Sequence, residues 1–189
     1  MFSFVVRTAQ NMKGIVFTEF LDMVEREFGE ITVEEVIDGA EVPSGGAYTA
    51  VGSYPASEMV QLVSTLSKHQ QIPVSTLLEK FGHSLFLGLH RNYPHFFESG
   101  DLFEFLASIH TYIHVEVKKL YRDAELPSLV VLDHQPNRLV LLYESPRKMA
   151  DLARGLLQAS IDHYPEQEVQ LEEEWLDDTG GKVQFTLIR

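Results

Sequence analysis

Between Gly14 and Phe28 the apolar residues Phe17, Phe20, Leu21, Val24 and Phe28 recur at steps of three and four. That spacing puts them on one face of a helix, which Gly29 ends. Residues 32–37 predict a short acidic helix with Val33, Val36 and Ile37 as its apolar edge. Pro43-Ser44-Gly45-Gly46-Ala47-Tyr48 is a loop by composition. Ser57 is placed to cap a helix carrying Met59, Val60, Leu62, Val63 and Leu66. Pro73-Val74-Ser75 opens another through Leu77, Leu78 and Phe81, interrupted at Gly82. The apolar run Leu85-Phe86-Leu87-Gly88-Leu89 follows, and Tyr93-Pro94 breaks the pattern. Leu102, Phe103, Leu106, Ile109, Ile113, Val117 and Leu120 then form one long stripe. His110 and His114, one turn apart, lie on a flank of that stripe with Phe103 and Tyr121, at the edge of a buried face.

After Pro127 the period shortens to two. Residues 128–133 and 138–143 flank the turn His134-Gln135-Pro136-Asn137 and predict a hairpin. A helix with Met149, Leu152, Leu156 and Leu157 comes next. A second strand pair, 168–176 and 182–188, is joined by Asp177-Asp178-Thr179-Gly180-Gly181. The expected fold class is α+β: a mainly helical N-terminal part, then a four-stranded antiparallel sheet with a helix between its hairpins.

Composition narrows the function classes. The chain of 189 residues has no cysteine, which excludes a disulfide framework, a thiolate zinc site and an iron–sulfur cluster. Its 28 acidic residues against 15 basic ones give a formal charge of −13. Such a field repels phosphate, so neither nucleic acid nor an anionic membrane surface is an expected partner. No stretch approaches the roughly 20 apolar residues of a membrane span. Met1-Phe2-Ser3-Phe4-Val5-Val6-Arg7 turns polar too soon for a secretory signal, and Met12 could itself be a start. Residues 1–11 are therefore expected to be an extension or arm outside the domain, and the cytoplasm is the default location.

The candidate chemistry is sparse. His110 and His114 have a possible metal-ligand spacing, but no HExxH pattern accompanies them. One exposed and one core histidine is the plainer reading. A third is that one imidazole is the single axial ligand of a haem, on a helix wall facing an apolar cavity. Spacing alone does not separate these. Tyr143, Ser145 and Arg147 recur at period two as a strand ends, so their side chains leave on one face. A phenol, a hydroxyl and a guanidinium together make an anion clamp, or else a solvated edge cluster. The acidic runs at 172–174 and 177–178 lack the spacing of a calcium loop and read as solvated faces. Motifs of nucleophilic hydrolases, nucleotide-binding loops and dinucleotide folds are missing.

Five elements occur in order: Met12-Lys13-Gly14-Ile15-Val16-Phe17; Lys80-Phe81-Gly82; the segment from Ile109 to Val117 with both histidines; Leu126-Pro127; and Tyr-x-Ser-x-Arg at 143, 145 and 147. Together they resemble the haem nitric oxide/oxygen binding (H-NOX) family, bacterial relatives of the sensor domain of soluble guanylate cyclase. The resemblance runs from Met12 to Ile188. It implies one haem domain over 12–189, with a helical subdomain over about 12–75 and haem-cradling helices and sheet over about 76–189. The cofactor it implies is haem b, without zinc, held between the two parts. By the same resemblance His114 is the proximal iron ligand, and Tyr143, Ser145 and Arg147 hold the haem propionates. Pro127 keeps the porphyrin non-planar, Gly82 marks a hinge, and Val16, Phe20, Leu85, Leu89 and Leu152 line the distal pocket.

Relatives that hold oxygen place a tyrosine over the iron where this chain has Leu152, beside Leu85. The resemblance therefore implies a sensor that takes nitric oxide and carbon monoxide but forms no stable complex with oxygen. Some relatives carry a C-terminal cysteine cluster; the turn at 177–181 has no thiol. The implied mechanism weakens or breaks the bond to His114, relaxes the haem against Pro127 and rotates the helical part relative to the sheet. The domain is then a switch and not an enzyme, with its output in a separate sensor histidine kinase or a cyclic-di-GMP synthase or phosphodiesterase. A haem-dependent peroxidase-like enzyme and a cofactor-free acidic adaptor are the competing readings.

Overall fold

The computed structural model describes residues 10–164 and 168–189, so residues 1–9 of the expected arm lie outside it. Strand β1 (Asn11–Lys13) pairs antiparallel with β2 (Ser53–Pro55), with Met12 opposite Tyr54. Helix α1 (Gly14–Phe28) follows at once, with Phe17, Phe20, Met23 and Val24 buried as its spacing requires. Gly29 adopts φ +91° and separates α1 from α2 (Glu30–Ala40). That helix outruns the short one expected at 32–37: Thr32, Val36 and Ala40 face inward, and the Thr32 hydroxyl donates to the Phe28 carbonyl at 2.9 Å.

Helix α3 (Ala56–Gln70) begins one residue before Ser57, which is exposed and caps nothing. The Ala56 amide donates instead to the Gln10 carbonyl at 2.8 Å, so the small sheet satisfies the first amide of the helix. Helix α4 (Val74–Asn92) runs unbroken through Gly82, another departure from expectation. A glycine inside a helix reads as a break in sequence, but here it is a point of close packing. A Cβ on Gly82 would lie 2.3 Å from the Leu152 carbonyl oxygen and 2.7 Å from the Leu156 amide nitrogen. Pro94 then ends the helix and opens a 3-10 turn (Pro94–Phe97).

The expected stripe from Leu102 to Leu120 is two α-helices joined by a wider turn. Helix α5 (Leu102–Ser108) is capped by Asp101, whose carboxylate accepts from the Phe103 and Glu104 amides at 2.8 and 3.2 Å. A π-helical turn (Ile109–Ile113) leads into α6 (His114–Leu120). Leu102, Phe103, Phe105 and Leu106 are buried, whereas no residue from Ile109 to Leu120 is.

The four-stranded sheet is antiparallel in the order β3-β4-β6-β5. Strands β3 (Ser128–Gln135) and β4 (Arg138–Glu144) extend past the expected ends, leaving Pro136-Asn137 as the whole turn and a bulge between Val131 and Asp133. Helix α7 (Ala150–His163) separates this hairpin from β5 (Gln170–Trp175) and β6 (Lys182–Ile188). The Asp177 carboxylate closes the second turn by accepting from the Thr179 and Gly181 amides at 2.7 and 3.1 Å. The protein is thus α+β, with two hydrophobic cores. One gathers α1–α3 around Phe17, Phe20, Met59 and Phe81; the other gathers the sheet and α5 around Phe103, Leu141 and Phe185. Helices α4 and α7 contribute to both.

Candidate functional site

Where the two cores meet, α1, α4 and α7 enclose one side of a cavity of about 270 Å³, and the segment Ile109–Leu120 encloses the other. The first side is made by Ile15 and Val16 of α1, Leu85, Phe86 and Leu89 of α4, and Ala153, Leu156 and Leu157 of α7. The second presents Ile109, Ile113, His114, Val117 and Leu120. Leu126, Pro127, Leu129 and Tyr143 close it on the sheet side. Hydrocarbon dominates, so a polar group here is conspicuous.

His114 is one such group. Its Nδ1 is buried without a hydrogen-bond partner. Burial, then the neighbouring His110, Lys118 and Arg147, pushes its pKa down to about 4. The imidazole is therefore neutral at physiological pH, with a lone pair available to a metal. His110 is exposed and does not line the cavity, its ring centroid 6.3 Å from that of His114. The edge of a buried face expected for both histidines holds for one. A π-helical turn admits one residue more than an α-turn, which changes the heading of the helix after Ile113. Among the described residues no group of three or more histidines and carboxylates is placed to hold a metal ion, so His114 offers a single ligand.

Tyr143, Ser145 and Arg147 converge, though not by the expected route. The strand ends at Glu144, and residues 145–148 turn, with Lys148 at φ +58° and its amide on the Ser145 carbonyl at 3.1 Å. Tyr143 is buried at the cavity, its pKa raised by burial and eased back by the Ser145 hydroxyl. Partial burial lowers the pKa of Arg147, and the neighbouring Tyr143 and Glu125 counter it. The Arg147 guanidinium donates through Nη1 to the carbonyls of Glu125 at 2.8 Å and Asn11 at 3.2 Å. Asn11, expected to lie outside the domain, is thus held by a candidate site residue.

Of the expected distal residues, Val16, Leu85 and Leu89 line the cavity. Phe20 and Leu152 do not: both belong to the first core, Phe20 packed edge-on to Phe81 at 5.2 Å. Pro127 is on the cavity wall; Gly82 is not, being inside the α4–α7 contact. Sequence reasoning missed Lys13 and Tyr93, which also line the cavity with Tyr121, placed from the sequence on the flank of the histidine stripe. The hydrogen bond between the Tyr93 and Tyr121 hydroxyls, with burial, pushes the Tyr93 pKa up to about 12. Tyr93 stands just past the end of α4, where periodicity carries no signal.

An apolar slot with one neutral imidazole and the Tyr143 phenol in its lining, and with Ser145 and Arg147 beside that phenol, fits a flat metal-bearing group with carboxylates, as haem is. A profile of the Haem-NO-binding family matches residues 13–173. The fold is similar to the Fe(II) unliganded H-NOX protein from K. algicida (TM-score 0.88, 38% identity, 94% of this chain and 96% of that one). It is also similar to the S. oneidensis H-NOX protein in the Fe(II)NO state (0.85, 29%, 93% and 98%). A third similar structure is the IWP-051-bound H-NOX from Shewanella woodyi in the Fe(II)CO state (0.80, 36%, 94% and 94%). A search of curated proteins gives no match. With the profile matching residues 13–173 and the fold shared over 94% of the chain, it belongs to the Haem-NO-binding, or H-NOX, family of haem gas-sensing domains.

Proposed function

We propose that this protein is a nitric oxide sensor that carries haem b on His114 and reports through a separate partner. When bound, the haem would supply a ferrous iron able to take a diatomic gas. The carrying observation is the neutral His114, whose buried Nδ1 has no partner, on a wall of a largely apolar cavity. Tyr143, Ser145 and Arg147 would hold the propionates, and Pro127 would press on the ring plane.

The polar neighbours bear on gas choice. The Ser160 hydroxyl donates to the Leu156 carbonyl at 2.8 Å, and Tyr93 and Tyr121 bond to each other. Lys13 is bonded to Val51, Ser53 and Asp123. Val16, Leu85 and Leu89 offer no donor at all. Oxygen on ferrous iron needs a donor far more than nitric oxide or carbon monoxide does, so this lining supports the latter pair. It also lacks the free acid–base group that a peroxidase requires.

Release of His114 would free α6 and shift the first core relative to the sheet. A cytoplasmic histidine kinase or cyclic-di-GMP enzyme that binds the two arrangements with different affinity would read the change. Spectra of the ferrous protein under nitric oxide and in air test the reading. The expected result is a nitrosyl spectrum lacking the histidine bond, with no lasting species in air; a persistent oxygen complex overturns it. A His114→Ala variant that regulates a partner like the unliganded wild type overturns the mechanism.

A further inference from the structure

The cation in the cavity wall that the sensor reading leaves without a role is Lys13. Its side chain is only 10% exposed. The ammonium donates to the Val51 carbonyl at 3.0 Å, to Ser53 Oγ at 3.0 Å and to both carboxylate oxygens of Asp123, at 3.4 and 3.3 Å. Ser53 donates to the same carboxylate, and Lys13 stands 4.9 Å above the ring of Tyr121.

These partners belong to two bodies. Lys13, Val51 and Ser53 are built into the start of the first core. The Gly14 amide donates to Gly52 at 2.8 Å and the Ile15 amide to Ala50 at 2.9 Å. A Cβ on Gly14 would lie 1.8 Å from the Thr49 carbonyl oxygen, so this backbone packs with no slack. Tyr121 and Asp123 belong to the end of α6: the Tyr121 amide donates to Val117 at 2.8 Å and the Ala124 amide to Tyr121 at 3.0 Å. Arg147 crosses the same gap in parallel, joining Asn11 to Glu125.

We infer that Lys13, with Ser53 and Asp123, is the positioning device that makes the β1–β2 arm, and with it α1, follow the helix carrying His114. The inference rests on the sensor reading and names its route. A point charge with three donors holds its acceptors while they shift by fractions of an ångström, which suits a joint between moving parts. Ile15 and Val16, next in the chain, line the cavity, so the same movement reaches its far wall.

Hydrogen exchange on the haem-loaded chain, ferrous against nitrosyl, tests it. Exchange at Asn11–Lys13, Ser53–Pro55 and the first turn of α1 should change about fivefold or more on nitric oxide binding in the wild type. In Asp123→Lys, which sets a like charge against Lys13, that change should fall to within about twofold. In Asp123→Lys the Fe–His stretching frequency should stay at its wild-type value, since Asp123 does not line the cavity. Lys13→Met serves as an independent break, and the double variant should respond no less than the weaker single. A full wild-type response in both single variants overturns the inference. So does a wild type whose His114 bond breaks while the arm stays unchanged. A wild type that takes up no haem overturns the sensor reading itself, and this inference with it.

Discussion

Gly82 and Gly155 meet where α4 crosses α7, so close that neither has room for a methyl group. A Cβ on Gly82 would lie 2.8 Å from the Gly155 carbonyl carbon, and one on Gly155 would lie 2.1 Å from the Glu79 carbonyl oxygen. Backbone atoms cannot rotate aside as a side chain can. Gly82→Ala or Gly155→Ala should therefore cost about 1–3 kcal/mol, outweighing the gain of up to about 1 kcal/mol in helix propensity. Thermal unfolding of the haem-free variants measures it. Because both helices line the cavity, the Soret position should shift as well.

Replacing His114 by leucine should remove the ferrous histidine-bound spectrum and leave the haem-free fold intact. The substitution breaks no hydrogen bond, since Nδ1 has no partner, and it lifts a burial cost of about 1–3 kcal/mol. Denaturant unfolding should show the haem-free variant to be at least as stable as the wild type.

The same residue sets an acid limit. Folding lowers the His114 pKa from 6.5 to about 4. Between those values the unfolded chain binds a proton that the folded one does not, so stability falls as pH drops from 6.5 toward 4. The full loss is roughly 3 kcal/mol. Denaturant titrations of the haem-free protein at pH 7 and 4.5 should show it, and His114→Leu should remove most of the difference.

Arg147→Lys should loosen the cofactor and the N-terminal strand together. A lysine cannot reproduce a guanidinium that reaches the carbonyls of Glu125 and Asn11 while facing Tyr143. Transfer of haem to an acceptor protein should quicken by about tenfold, a loss on the order of 1.4 kcal/mol. Exchange at Asn11–Lys13 should rise in the same variant.

Supplying a donor should alter gas choice. Leu85→Asn places an amide on the cavity wall and should lengthen the lifetime of oxygen on the ferrous protein, followed by absorbance in air. The unpaired amide should cost about 1–3 kcal/mol of haem-free stability.

Sequence periodicity made the fold class legible because each long element has a sided environment: α1 buries Phe17, Phe20 and Val24, and the strand pairs alternate around Leu141 and Phe185. It failed where backbone geometry decides. Gly82 read as a break because nothing in a linear pattern reveals that α7 lies against it. The π-helical turn is equally silent, being a matter of which carbonyl an amide chooses, and it decides that His114 and not His110 meets the cavity. The three-residue strands β1 and β2 were invisible, as their pairing spans some 40 residues. Tyr143, Ser145 and Arg147 were found by their chemistry, although a turn brings Arg147 in where a strand was expected.

From Ile109 to Leu120 the segment packs Ile109 and Ile113 against the second core and turns His114, Val117 and Leu120 to the cavity. Haem bound there would cover those side chains and tie the segment to both cores. Degradation in the cell begins at poorly anchored segments. The lifetime of each newly made copy is therefore tied to how soon it is filled, and the amount of detector a cell keeps should rise and fall with its supply of iron porphyrin.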